Sequence, residues 1–240
     1  ASLADGYYCI SSPVESDLLQ MLSQRYGLRG EFSTHVIPMG WDIHQACVDL
    51  PPTDAIKAVV HHIRNIPSVL MVGTIEPRKG HHDVLDAFER LWERNFECNL
   101  VIVGRPGWKT EQIQARLRHH QFAGRRLFWL SDASDSDLEL IYSACSGLVM
   151  ASYGEGFGLP LLEALGKGKP VLARDIPIFR LHESWGLTFF SEVAASAELA
   201  TAIENWLSGV RTRYVHPVKD LPTWRDSAQS IWEPLVKEYC

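Results

Sequence analysis

The sequence predicts an α/β protein with a doubly wound parallel sheet, and two features of the chain lead to this prediction. Short apolar runs rich in β-forming residues alternate with longer segments of helical periodicity over most of the chain. The runs are mostly apolar, as expected for strands that helices cover on both faces. The predicted strands are 69–73, 99–104, 126–130, 147–152, 169–173 and 186–190, and the predicted helices are 81–94, 110–120, 135–145, 160–167 and 196–208.

Composition narrows the classes of function. The chain has 240 residues, of which 46% are hydrophobic and 22% charged, so it can bury a substantial core. Its net charge of -6 makes nucleic acid an unexpected partner. The five cysteines form no C-x-x-C pair, which argues against zinc sites and a disulfide framework and favours the reducing cytoplasm.

The ends of the chain suggest how it is organised. No apolar run reaches the roughly 18 residues that a membrane-spanning helix needs, so no span is expected. The chain lacks an initiator Met and begins beside a predicted strand, so we expect a fragment of a longer protein. We predict a small βα unit with a connector in 1–40, a main domain in 41–222, and a terminal helix in 223–240 that docks away from the main sheet.

The stretch "EGFGLPLLEAL" (155–165) follows the strand 147–152 and is predicted to hold an anion. Pro160 suits the first turn of a helix, because its missing N–H costs nothing there. The backbone amides ahead of that turn, from Gly156, Phe157, Gly158 and Leu159, would then face a ligand. The spacing does not match the dinucleotide fingerprint G-x-G-x-x-G, which disfavours a nicotinamide enzyme.

Two carboxylates flank these glycines. Glu163, predicted inside the first turn of the helix, can accept two hydrogen bonds from the vicinal diol of a ribose or hexose, and Glu155 can do the same for a second sugar at the mouth of the loop. Phosphates between two diols describe a nucleotide-diphosphate sugar. On spacing alone the alternative stays open that Glu163 faces solvent and Glu155 lies in a surface turn.

A second segment, "GTIEPRKGHHDVL" (73–85), follows the strand 69–73 and carries Arg78 and Lys79. Neighbouring loops of a parallel sheet open on the same edge, so both cations are expected in the same cleft as Glu155. There they would stabilise charge on a departing diphosphate. Taken alone, a basic pair in a loop is usually a solvated surface feature.

Several segments resemble, in the same order, the retaining family 4 glycosyltransferases, which have the two-lobed GT-B fold. The resemblance covers about residues 4 to 235 and is carried by "VGTIEPRKG", "LVIVGRPGW", "DLELIYSACSGLVMASYGEGFGLPLLEALGKGKPVLARDIPIFR" and "TWRDSAQSIW". It implies that 41–222 is the Rossmann-like, nucleotide-sugar-binding domain, the C-terminal half of a GT-B fold. Residues 1–40 would be the last βα unit of the N-terminal lobe, and the helix 223–240 would pack toward that lobe.

The resemblance also assigns roles to residues. It implies that Glu155 contacts the transferred sugar near its anomeric centre, that Glu163 binds the ribose, and that Lys79 binds phosphate together with the loop amides. The remaining donor-binding positions are Thr74, Arg105, Leu130, Ser131 and Asp132, the last three framing the base. Many family members carry Arg where this chain has Thr74, so Arg78 is expected to take part of that role.

The resemblance to bacterial mannosyltransferases of polysaccharide and lipopolysaccharide assembly makes GDP-mannose the expected donor and a saccharide or lipid-linked glycan the expected acceptor. Because most of the acceptor lobe is missing, this chain alone is expected to be inactive. The full protein is expected in the cytoplasm, with peripheral attachment to the inner face of the membrane left open. A non-catalytic nucleotide-sugar-binding module and a GT-B epimerase or phosphorylase remain alternatives.

No cofactor and no metal are expected. Three pairs of adjacent histidines, at 61–62, 81–82 and 119–120, invite a metal site. Adjacent side chains diverge on a helix or strand, however, and no carboxylate spacing completes a set of ligands.

Overall fold

The computed structural model describes residues 4–27, 32–42, 51–210 and 217–239, and within them it contains two parallel sheets. The strands are β1 (Gly6–Cys9), β2 (Ser33–Val36), β3 (Ser68–Val72), β4 (Asn99–Val103), β5 (Leu127–Leu130), β6 (Gly147–Met150), β7 (Val171–Arg174) and β8 (Thr188–Phe190). The α-helices are α1 (Ser12–Tyr26), α2 (Asp54–Asn65), α3 (His81–Glu93), α4 (Glu111–His119), α5 (Asp135–Ala144), α6 (Leu159–Gly166), α7 (Pro177–Arg180), α8 (Ser196–Val210) and α9 (Trp224–Tyr239).

The larger sheet has six strands in the order β5-β4-β3-β6-β7-β8, all parallel. Its strand order reverses between β3 and β6, which are neighbours although β4 and β5 lie between them in the chain. In such doubly wound sheets a ligand binds outside the carboxyl ends of the strands at this reversal. The fold therefore brings the loops after β3 and β6 together at the position where a ligand is expected.

Both faces of this sheet are covered, which confirms the predicted architecture. Successive residues of β3 point to opposite sides, so Val69 and Met71 join one hydrophobic cluster while Leu70 joins the other. Side chains of α3 and α8 complete the first cluster, and side chains of α2, α5 and α6 complete the second. Strands buried on two faces are expected to be mostly apolar, as these are, with buried polar side chains only at some strand ends.

Helix α2 was missed by the sequence analysis. Its signal is present: Thr53 caps the helix by accepting from the amide of Ile56, and Ile56, Val60 and Ile63 are buried at helical spacing. The two adjacent histidines and the β-branched residues within the segment obscured that period.

The segments 4–27 and 32–42 contain a separate two-stranded sheet, β1 and β2, together with α1, and α9 lies against them. The Ser227 hydroxyl donates to the carbonyl of Pro38, the amide of Trp224 donates to Asp42, and the Tyr8 hydroxyl donates to the carbonyl of Ile231. The domain boundaries at 41 and 222 stay predictions. Among the described residues, none of the helices has the length and apolar character needed to span a membrane.

Candidate functional site

The glycine-rich turn after β6 leads directly into α6, as predicted. The chain leaves the sheet at Met150, and α6 begins at Leu159 with Pro160 in its first turn. Because the helix begins one residue earlier than expected, Glu163 is its fifth residue and lies in the second turn. The prediction that Glu163 lies inside the first turn is wrong for this reason.

Gly158 explains where the helix begins. It has a φ of 96°, a left-handed conformation that favours glycine, and a Cβ at this position would lie 2.9 Å from Cε1 of Phe179. In the part of the chain that the structure describes, the amide N–H groups of Gly156, Phe157 and Gly158 donate to no protein acceptor. The turn thus offers N–H groups at the positive end of a helix.

Glu155 joins the turn to the loop after β3. Its side chain is only 7% exposed and forms ion pairs with Lys79 (Nζ to Oε1, 2.5 Å) and with Arg78 (Nη1 to Oε2, 2.9 Å). The Ser152 hydroxyl donates a third bond to Oε1 at 2.7 Å. The predicted proximity of Arg78 and Lys79 to Glu155 is therefore found, and in this structure the acid is held by both cations.

The electrostatics of this cluster follow from its geometry. Burial raises the pKa of Glu155, but the hydrogen bonds from Lys79, Ser152 and Arg78 outweigh it and the net pKa is lowered. The pKa of Arg78 is raised, because its bonds to Glu155 and Glu76 outweigh the effect of burial. At neutral pH the cluster holds two carboxylates, Glu155 and Glu76, and two cations, so its formal charges balance.

Glu163 lies deeper and has a different neighbour. It is 9% exposed, and the Tyr142 hydroxyl of α5 donates to its Oε2 at 2.8 Å. Burial and the adjacent Glu163 raise the pKa of Tyr142 well above its ordinary value, so the phenol stays a donor. Tyr142 was not singled out from the sequence, because a tyrosine inside a helix is ordinarily a packing residue.

The remaining predicted donor-binding residues lie at or just beyond the carboxyl ends of β3, β4 and β5, at the same edge of the sheet. The amide of Ile75, next to Thr74, donates to the carbonyl of Arg105, and the amide of Gly104 donates to the carbonyl of Leu130. Beyond Leu130, the Ser131 hydroxyl donates to Asp132. Arg105 and Asp132 are exposed, and among the described residues no hydrogen bond or ion pair joins them to Glu155 or Glu163.

Two further neighbours of the turn were not predicted. His182 is buried, stacks on Trp185 with ring centroids 4.5 Å apart, and lies 5.0 Å from the ring of Phe157. Burial lowers the pKa of His182 to about 4, so the ring is neutral at pH 7. On the other side, the hydroxyl of Ser11 at the start of α1 donates to the carbonyl of Gly156. The small βα unit therefore contacts the turn directly.

The two histidines of a pair differ in burial and do not come together as ligands. His81 is buried while His82 is exposed, and His119 is exposed while His120 is half-buried. Among the residues that the structure describes, no group of three His, Cys, Asp or Glu side chains is placed to hold a metal ion.

Known proteins are similar to this chain over most of its length. Residues 53–214 match the family described as "Glycosyl transferases group 1". The chain is 36% identical over 241 residues to the serotype-specific mannosyltransferase WbdA of Escherichia coli, covering 98% of this chain. It is 30% identical over 174 residues, 71% of this chain, to O-antigen chain mannosyltransferase B of the same species, and spans 41% of that protein.

Solved structures match the fold. The Anabaena protein HepE, in a complex with UDP and glucose, superposes with a TM-score of 0.70 at 22% identity, over 97% of this chain and 63% of HepE. At this identity the likeness shows the fold, which is the predicted GT-B half. The chain spans only 29% of the length of WbdA, so it corresponds to a part of that protein.

Proposed function

The chain belongs to the group 1 family of glycosyl transferases, and we propose that it is the donor-binding part of a retaining mannosyltransferase that uses GDP-mannose. Membership rests on the family match and on the 36% identity to WbdA. The observation that carries the proposal for the site is the joining of Glu155 to Lys79 and Arg78 beside the N-terminus of α6.

The diphosphate would lie against the glycine turn. The amides of Gly156, Phe157 and Gly158 precede a helix whose N-terminus carries a partial positive charge. Lys79 and Arg78 add two full charges at the same edge of the sheet. Charge that develops on the departing diphosphate would be stabilised by both, and each such donor is worth about 3 kcal/mol in a transition state.

The two carboxylates would hold the two ends of the donor. Glu163 has its orientation fixed by the Tyr142 hydroxyl, and we assign it to the ribose. Glu155 lies at the mouth of the turn, and we assign it to the transferred sugar. The family resemblance supports both assignments, since the two acids stand eight positions apart around the glycines.

Donor binding then requires an exchange of partners. In this structure Lys79 and Arg78 neutralise Glu155. A diphosphate entering the turn competes for both cations and releases the Glu155 carboxylate toward the sugar. The acceptor hydroxyl, held by the part of the protein outside this chain, would attack the anomeric carbon from the face that the diphosphate leaves.

The choice of mannose rests on similarity, because the relatives reported above are named a serotype-specific mannosyltransferase and an O-antigen chain mannosyltransferase. We propose a glycan acceptor on the same ground. No metal is needed in this scheme, because the two cations and the turn amides face the diphosphate.

A thermal-shift panel tests the proposal. GDP, UDP, ADP and their sugars are added to the chain and to two variants, Glu163→Ala and the matched control Glu93→Ala, whose side chain is exposed at the far end of α3. A ligand at 100 times its dissociation constant adds about 2.7 kcal/mol of apparent stability. We expect GDP and GDP-mannose to stabilise the chain and the control but not Glu163→Ala. Indifference of the unmodified chain to every nucleotide would overturn the proposal.

A further inference from the structure

Arg174, the last residue of β7, is a buried cation whose guanidinium nitrogens are all bonded. It is 1% exposed. Its Nε donates to the carbonyl of Ala151 at 2.9 Å, its Nη1 to the carbonyl of Glu192 at 2.6 Å, and its Nη2 to Oδ2 of Asp83 at 2.6 Å. A buried charge is tolerated only when it is paired and hydrogen-bonded, and Arg174 has an ion pair to Asp83 and bonds to two carbonyls.

Tyr153 extends this set of contacts to the surface. Its hydroxyl donates to the same Asp83 oxygen at 2.5 Å, and its ring lies 4.0 Å from the Arg174 guanidinium. Burial and the bond to Asp83 raise the pKa of Tyr153, so the phenol stays protonated and remains a donor. Tyr153 as a whole is 55% exposed.

These contacts hold the residues on either side of Ser152, which is hydrogen-bonded to Glu155. Arg174 holds Ala151, Asp83 holds Tyr153, and the residue between them, Ser152, donates to the Glu155 carboxylate at 2.7 Å. The three-residue segment is therefore fixed at both ends while its centre orients the acid.

The same segment is pressed against the loop that carries the cations. The amide of Tyr153 donates to the carbonyl of Arg78 at 2.8 Å. Gly80 approaches so closely that a Cβ there would lie 2.3 Å from the carbonyl oxygen of Ala151. A shift of the segment would thus change the distance between Glu155 and its two cations.

We propose that Arg174, Asp83 and Tyr153 form a clamp that positions Ser152 and Glu155 for the sugar of the donor. The three are positioning residues, since each acts on the donor through Glu155. This role rests on the proposed function. Removing one member should loosen Glu155 and weaken recognition of the sugar, while the diphosphate and ribose contacts remain.

The test compares Tyr153→Phe with the unmodified chain by calorimetric titration with GDP-mannose and with GDP. Tyr26→Phe serves as the matched control, because Tyr26 is similarly exposed and lies at the end of α1. Loss of one hydrogen bond corresponds to about a fivefold change in an equilibrium constant. We expect the ratio of GDP-mannose affinity to GDP affinity to fall by about fivefold in Tyr153→Phe and to stay unchanged in the control.

Arg174→Lys is the second variant, because it keeps the charge but cannot reach all three acceptors. We expect it to lower the same affinity ratio at least as much as Tyr153→Phe. An equal loss of affinity for both ligands, or an unchanged ratio of GDP-mannose affinity to GDP affinity in both variants, would overturn the proposed clamp. If the unmodified chain bound neither ligand, the proposed function itself would fail, and that result is distinct from a changed ratio.

Discussion

The two carboxylates around the glycine turn are held in opposite ways. Glu155 is bonded to two cations that come from a different loop, after β3. Glu163 is bonded to a neutral phenol, Tyr142, that comes from the neighbouring helix α5. Both are largely buried, and they stand eight positions apart in the chain.

The difference shows how one site can combine an adjustable acid with a fixed one. Glu155 is held by two ion pairs in addition to the Ser152 hydroxyl, and a competing anion such as a diphosphate can take the two cations. Glu163 owes its position to a rigid helix and a fully buried hydroxyl, which an anion does not displace. Substitutions of Glu155 and of Glu163 should therefore change the affinities for GDP and GDP-mannose in different ways and by different amounts.

The largest effect is expected from Glu163→Ala. Hydrogen bonds to a charged group are worth about 1.5–3 kcal/mol each, so losing the ribose contacts should weaken GDP and GDP-mannose alike by roughly 100-fold. Titration calorimetry with both ligands measures this. Glu163→Gln, which keeps the shape and one acceptor, should lose less. Unchanged affinity in Glu163→Ala would remove Glu163 from the donor site.

The next largest effect is expected from Glu155→Gln, which should change the affinities for GDP and GDP-mannose differently. Glu155→Gln removes the competitor for Lys79 and Arg78, so the affinity for GDP should rise or hold while the affinity for GDP-mannose falls. We expect the two affinities to diverge by about tenfold, as for one charged hydrogen bond. A parallel fall for both ligands would mean that the Glu155 ion pairs do not compete with the diphosphate.

A smaller effect is expected from Tyr142→Phe, which leaves Glu163 in place without its phenol donor. One hydrogen bond is worth about 1 kcal/mol, so both ligands should weaken by about fivefold and equally. The same titrations measure this, with Tyr26→Phe as the control for loss of an exposed hydroxyl. A loss of affinity for GDP-mannose with unchanged affinity for GDP would contradict the assignment of Glu163 to the ribose.

The smallest effect concerns the turn that joins the two acids. The pKa of His182 is lowered to about 4 by burial, so folding disfavours its protonated form. Its contribution to stability is complete above its unfolded pKa and is lost as the pH falls from about 6.5 toward 4.

At pH 6 the loss from His182 should be about 0.8 kcal/mol relative to pH 8. Chemical unfolding of His182→Phe, which keeps an aromatic ring beside Phe157 and Trp185, should lack this part of the pH dependence. Identical pH profiles for the two proteins would show that His182 titrates normally.

The sequence predicted the strands and the edge at which their loops meet, and it missed the contacts that depend on packing between elements. The six strands of the large sheet were found within a few residues, because strands covered on two faces must be apolar. The meeting of Lys79 with Glu155 was predicted because parallel strands end at one edge. Arg174, Tyr142 and His182 were missed, since their partners stand far away in sequence and carry no spacing signal.

A crystal structure of the chain with GDP-mannose would test the central claim most directly. We expect the diphosphate to lie against the amides of Gly156, Phe157 and Gly158, with Lys79 and Arg78 turned from Glu155 to phosphate oxygens and Glu163 bonded to the ribose. A diphosphate bound elsewhere on the chain, with the Glu155 ion pairs intact, would contradict it.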